Sequence, residues 1–162
     1  MNVDAFLADS VVSAEGKLYV QGAGWNTIYT TNFPTRHSRV GIGVLVRVPW
    51  MATNQTHTLD ITIENADGHL INLSEAPAGA PPDVTSDNGQ INRIRGNFNV
   101  GRPPALPAGD EQIVPIAVNI DGLVFDAPGA YSLVISIDGT ELERLPLRIA
   151  FLVQMPQAVG GR

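Results

Sequence analysis

Apolar residues recur at every second position through Pro128–Val153, PGAYSLVISIDGTELERLPLRIAFLV, and a period of two dictates a sheet rather than a helix. Tyr131, Leu133, Ile135 and Ile137 alternate with Ser132, Val134, Ser136 and Asp138. After Asp138-Gly139, a hairpin turn signal, the alternation resumes at Leu145, Leu147, Ile149, Phe151 and Val153. A plain two-residue turn would set Ile137 against Thr140 and Leu133 against Arg144, which puts an arginine on the core face. A three- or five-residue connection, or a bulge, instead sets Ile135 against Leu145, Leu133 against Leu147 and Tyr131 against Ile149. The sequence therefore predicts an odd-length loop, with Gly139 at positive φ. Pro146 has no N–H to give a ladder, which points to an edge or a bulge there.

The same period appears elsewhere. Phe6–Val12 reads as a first strand, Ala14–Lys17 as a turn and Leu18–Gln21 as a second strand, followed by glycines 22 and 24. Val40, Ile42, Val44, Val46 and Val48 share one face, and Gly41 and Gly43 on the other leave room for close packing. Leu59, Ile61 and Ile63 alternate with Thr58, Asp60, Thr62 and Glu64, which predicts a solvated outer face. Asn65–Gly68 should turn the chain back into a strand over His69–Leu73. Ile91–Val100 is a further strand with Ile94, Phe98 and Val100 partly buried. Val114, Ile116, Val118 and Ile120 line one face of another, and Pro115 sets it near an edge. The proline-rich stretches Ser74–Gly89 and Gly101–Asp110 read as long loops. No apolar set recurs at helical spacing. The expected fold is all-β: an antiparallel two-sheet β-sandwich of about seven to nine strands, with a jelly roll or small barrel as the alternative. At 162 residues the chain suits one domain, over 1–155, with a flexible tail at 156–162.

Charge and residue usage narrow the function. Formal net charge is −6, and the ten lysines and arginines are scattered apart from Arg93, Arg95 and Arg102, so no basic stripe for phosphates is evident and no nucleic-acid partner is expected. The absence of cysteine removes disulfides, thiol nucleophiles and thiolate metal sites. No secretory leader and no apolar run long enough to span a bilayer are evident, so the expectation is a cytoplasmic protein with no membrane partner.

Candidate chemistry is sparse. His37, His57 and His69 form no metal-ligand spacing, and each flanks a strand where solvent exposure is expected. There is no GxSxG elbow, and Ser10, Ser132 and Ser136 read as strand polar faces. Asp60 and Glu64 share an outward face, which fits solvation better than an acid/base pair. Asp83, Asp87 and Asn88 in one loop and Asp110 and Glu111 in the next offer oxygens to calcium, but without the spacing of a calcium loop. Asp9 lies within the apolar run Leu7–Val11, where alternation turns it inward; a buried carboxylate there is an anchor for the neighbouring turn, or alternatively a catalytic acid. Trp50 and Met51 follow Pro49 at a strand end. With Trp25 they are the candidate interaction anchors. Asn54-Gln55-Thr56 and Asn72-Leu73-Ser74 match the glycosylation pattern but carry no weight without a secretory leader.

The segments LADSVVSAEGKLYVQGAGW, GIGVLVRVP and PGAYSLVISIDGTELERLPLRI together resemble a family of small, uncharacterised bacterial proteins. The resemblance covers the first third and last fifth of the chain. It implies a β-sandwich domain of unknown function and carries over no catalytic residue. The closing hairpin also resembles that of immunoglobulin-like modules. The leading expectation is thus a non-catalytic protein, not an enzyme and without cofactor or metal, that acts by association with itself or another protein. One alternative is a ligand-binding module, for glycan or calcium, using loops 74–90 and 101–111. Another is a hydrolase using Asp9 or the acidic strand face.

Overall fold

A computed structural model describes residues 1–75, 89–105 and 107–152. In chain order the strands are β1 (Asn2–Ala8), β2 (Ser10–Ala14), β3 (Lys17–Gln21), β4 (Thr27–Thr30), β5 (Thr35–Val48) and β6 (Thr56–Asn65), with a 3-10 turn at Trp50–Ala52. Then come β7 (Ser74–Glu75), β8 (Gln90–Ile91), β9 (Arg93–Asn99), β10 (Gln112–Phe125), β11 (Gly129–Ile137) and β12 (Thr140–Phe151). The described residues are nearly all β, as the periodicity predicts. The chain exceeds the expected seven to nine strands, and these are shared among a sheet β1-β5-β10, a sheet β4-β12-β11-β6-β9 and the two-stranded ribbons β2-β3 and β7-β8. A simple two-sheet description therefore does not cover it. Among the described residues no helix is long and apolar enough to cross a membrane.

β5 shows the cause most plainly. Val40, Ile42, Val44, Val46 and Val48 are wholly buried and meet Leu59, Ile61, Ile63, Leu133, Ile135 and Leu147 in one core cluster. On the opposite face Gly41 lies under the backbone where β1 passes into β2; a Cβ there would sit 3.0 Å from Ser10 Cα and 3.1 Å from the Ala8 carbonyl oxygen. Gly43 lies under the Phe6 ring. The space predicted beside these glycines is used by the chain's own N-terminal strand.

Several expectations need correction. The run Phe6–Val12 is not one strand: it breaks at Asp9, whose N–H leaves the β5 ladder and donates to the carbonyls of Gln21 (3.0 Å) and Gly22 (3.2 Å). The sheets are not antiparallel throughout, because β4 runs parallel to β12, with Ile28 beside Ile149 and both buried. His69–Leu73 is not a strand: it makes the single Glu64–Leu70 bridge, with the Asn65 N–H on the His69 carbonyl and the Ile71 N–H on the Ile63 carbonyl, and then sends the Leu73 N–H to the Ile91 carbonyl.

The closing hairpin uses the two-residue turn rather than an odd-length loop. Ile137 pairs with Thr140, and Asp138 and Gly139 both have positive φ (52° and 79°), the conformation Asp-Gly favours. The register then shifts between Ile135 and Ser136, so that Leu142 is bulged out and Leu133 meets Leu145, Tyr131 meets Leu147 and Gly129 meets Ile149. The bulge restores the in/out parity that a plain two-residue turn would lose, two residues away from the expected pairing. Pro146 lies beyond the reach of β4, which pairs only with Arg148–Phe151. Arg148 and Leu152 send their N–H groups to β4-side carbonyls, so the missing donor at 146, in the same phase, faces an unpaired edge. β10, with Pro115, is likewise an edge strand.

Candidate interaction surface

Asp9 is exposed, not inward, and accepts the Trp25 indole N–H at 3.1 Å. Its carboxylate rests where Gly22 has no side chain. Trp25 is half-buried, edge-on to His37 with ring centroids 6.0 Å apart, so its indole fastens the link between β3 and β4. Trp50 is also partly buried, beneath the Arg102 guanidinium at 4.7 Å, while Met51 beside it is 79% exposed. The three proposed anchors thus sit in two separate places and in different states of exposure.

His57 corrects the expectation of a solvated histidine. It is 4% exposed, with Nδ1 2.7 Å from Asp138 Oδ2 and Nε2 2.7 Å from the Ala52 carbonyl. Burial opposes its charging, but the Ala52 carbonyl and the Asp138 carboxylate prevail and raise its pKa above the ordinary histidine value. Asp138 also accepts the Thr58 N–H at 2.9 Å; that bond first, and His57 second, hold its carboxyl below the usual range. The cluster ties the hairpin turn to β6 and the 3-10 turn. Sequence reasoning missed it because its members lie 81 residues apart.

Asp60 also departs from expectation. It is buried rather than solvated, because Arg95 from β9 lies over it with Nε and Nη2 on its two oxygens at 2.7 and 3.0 Å. Glu64 accepts Arg144 Nη1 at 2.9 Å. Both carboxylates are engaged as bidentate or bridging ion-pair partners, the opposite of a free acid and base. Asp83, Asp87 and Asn88 lie outside the described residues. Asp110 and Glu111 are exposed, and among the described residues no three histidine or acidic side chains converge on a metal position.

The feature with a clear surface geometry is the β2-β3 ribbon. Its sequence places valines side by side at 11 and 12, so alternation must turn one of them outward. Val11 faces in and is buried, and its N–H and C=O are both held by the Asn119 side chain, at 3.0 and 2.8 Å. The Ser13 hydroxyl donates to the Pro115 carbonyl at 3.0 Å. With the inner face pinned to β10, the outer face presents Val12 and Tyr19 directly opposite one another, 55% and 51% exposed. Glu15 and Gly16 form the tight turn at the tip, both at positive φ (52° and 70°), and Lys17 and Asp9 are exposed near opposite ends of the ribbon. The outer face thus carries an exposed apolar pair, with Glu15 and Lys17 exposed at the tip and Asp9 at the base.

The model of a family of unknown function (DUF6941) matches residues 3–150. No curated protein matches the chain. Among solved structures, the Pseudomonas fluorescens alkylpurine DNA glycosylase AlkC, bound to DNA containing an abasic site analog, aligns at 13% identity over 77% of this chain and 28% of that one, with a TM-score of 0.38. The expectation of no nucleic-acid partner does not stand, since an overall net charge of −6 does not describe a local surface. A likeness this distant assigns no partner.

Proposed function

The chain belongs to DUF6941, a family with no assigned function, and we propose that it works without catalysis, by pairing with a second copy of itself through the outer face of the β2-β3 ribbon. The observation that carries this is the exposed Val12–Tyr19 pair on a ribbon whose other face is fixed to the body. The face is self-complementary. In an antiparallel stacking of two ribbons about a two-fold axis, Val12 and Tyr19 meet their counterparts at the centre. Lys17 at the tip of one copy then reaches the base of the other, where Asp9 is exposed, about 17 Å along a strand of five residues. Sedimentation velocity on the full chain tests the idea. The wild type should be a dimer at micromolar concentration and Tyr19→Arg a monomer with unchanged far-ultraviolet dichroism. A wild type that stays monomeric as its concentration is raised a hundredfold overturns the proposal.

The finer architecture is read here as an immunoglobulin-type sandwich. In its support, β4 lies parallel to the last strand, and the Tyr131 hydroxyl near the start of β11 donates to the Ala127 carbonyl at 2.8 Å. That bond matches the tyrosine corner of such folds. We propose further that the protein works in the cytoplasm; recovery of the tagged full chain in the membrane or secreted fraction would refute that.

A further inference from the structure

A second surface stands apart from the ribbon. Arg36 of β5 and Val124 of β10 are cross-strand partners on one face, and Gly122, two residues back on β10, has φ +69°. The Arg36 guanidinium lies against Gly122 so closely that a side chain at 122 would collide with it. The nearest acid in sequence on β10, Asp121, is already occupied: Arg39 Nε and Nη2 hold its two oxygens at 2.6 and 3.1 Å. Among the described residues the Arg36 guanidinium has no hydrogen bond and no ion pair. It lies over backbone at the wall of an open cavity of about 800 Å³.

The rest of the lining selects the ligand. Asn65 spends its carbonyl oxygen on the N–H groups of Asp67 and His69, both at 3.0 Å, which leaves its amide N–H groups to donate. Leu70 and Val124 present exposed aliphatic surface to the same cavity, and the buried Phe125–Tyr131 pair backs it, with ring centroids 5.0 Å apart. Asp126 and the Arg39-bound Asp121 also line it, and Asp126 repels anions, multiply charged ones most. An unpaired guanidinium, an amide donor and an aliphatic wall, beside Asp126 and the Arg39-bound Asp121, suit a singly charged planar acid with an apolar body.

We infer that the cavity binds an organic monocarboxylate, its carboxylate on Arg36 and its aliphatic body along Leu70 and Val124. The acid is either a free short-chain acid or the C-terminus of a peptide ending in an aliphatic residue. Amide-resolved NMR titration of the full chain separates these sources, with hexanoate, a leucine-terminated tripeptide, its C-terminal amide and inorganic phosphate as probes. Saturable shifts centred on Gly122, Val124 and Leu70 are expected with hexanoate or the tripeptide. Tighter binding by hexanoate points to a free acid. Tighter binding by the tripeptide, lost on amidation, points to a chain terminus. Arg36→Gln, an exposed position whose fold the same spectrum checks, should weaken binding about tenfold or more. Shifts that rise linearly without saturation, phosphate binding as tight as hexanoate, or unchanged affinity in a folded Arg36→Gln protein would each overturn the inference. The outcome is independent of the ribbon pairing.

Discussion

Replacing His57 with alanine at about pH 6 removes a charged ring from the junction of β6, the 3-10 turn and the closing hairpin. Two contacts at 2.7 Å are lost, one to the Ala52 carbonyl and one to the Asp138 carboxylate. A buried hydrogen bond to a charged group is worth about 1.5–3 kcal/mol, and the Ala52 contact falls in that range. The Asp138 side chain is 48% exposed, so solvent screens its share to about 1 kcal/mol or less. The sum is about 3 kcal/mol, which for a chain of this size lowers the melting temperature by about 9 °C. The pH dependence has a definite sign. The folded pKa of His57 is raised, so its contribution is complete below the unfolded value of about 6.5 and fades as pH rises through the folded value. His37 acts in the opposite sense, since burial lowers its pKa and its contribution is lost on acidification. The His37 contribution is common to both proteins and cancels in their difference. Urea unfolding at about pH 6 and about pH 9 gives the two gaps directly. A gap that is equal at both values, or under about 1 kcal/mol at the lower one, refutes the reasoning.

Two further outcomes follow from close packing and from ion pairing. Gly41→Ala should lower stability by about 1–3 kcal/mol, because the new methyl meets the backbone at Ser10 and Ala8, which cannot turn aside; denaturant midpoints with unchanged slope would show it. Asp60→Ala should cost about 2–3 kcal/mol, near the low end for a broken buried pair because Arg95 remains 31% exposed and regains water. Adding salt should narrow the Asp60 gap only slightly, whereas the exposed Arg39–Asp121 pair should contribute little at any ionic strength.

The parts of this fold that were legible in the sequence are those governed by neighbours along the chain. Val40–Val48 and Leu59–Ile63 carry an unbroken period of two, and each inward position is buried. Asp138-Gly139 carries its turn conformation in its own chemistry. What escaped depends on distant partners. Asp60 looks solvated until two arginines on β9, Arg93 and Arg95, come to lie over it. Asp9 looks like an inward strand residue until the carbonyls of Gln21 and Gly22 take its N–H. In β10 the inward set passes from Ile120 to Leu123 across Gly122, whose left-handed backbone flips the alternation where a simple period would place Asp121 and Leu123 on one face. The ribbon surface was half legible: adjacent valines announce that one is exposed, but not that Asn119 holds the other down.

The position of β12 between β4 and β11 also sets a timetable for synthesis. On the ribosome, the segment from Thr27 to Thr30 emerges early and has no ladder partner until the strand at Thr140–Phe151 leaves the exit tunnel. The larger sheet therefore closes only after β12 has emerged, and a nascent chain stalled before that strand exposes the inner faces of β6 and β11 to chaperones and proteases.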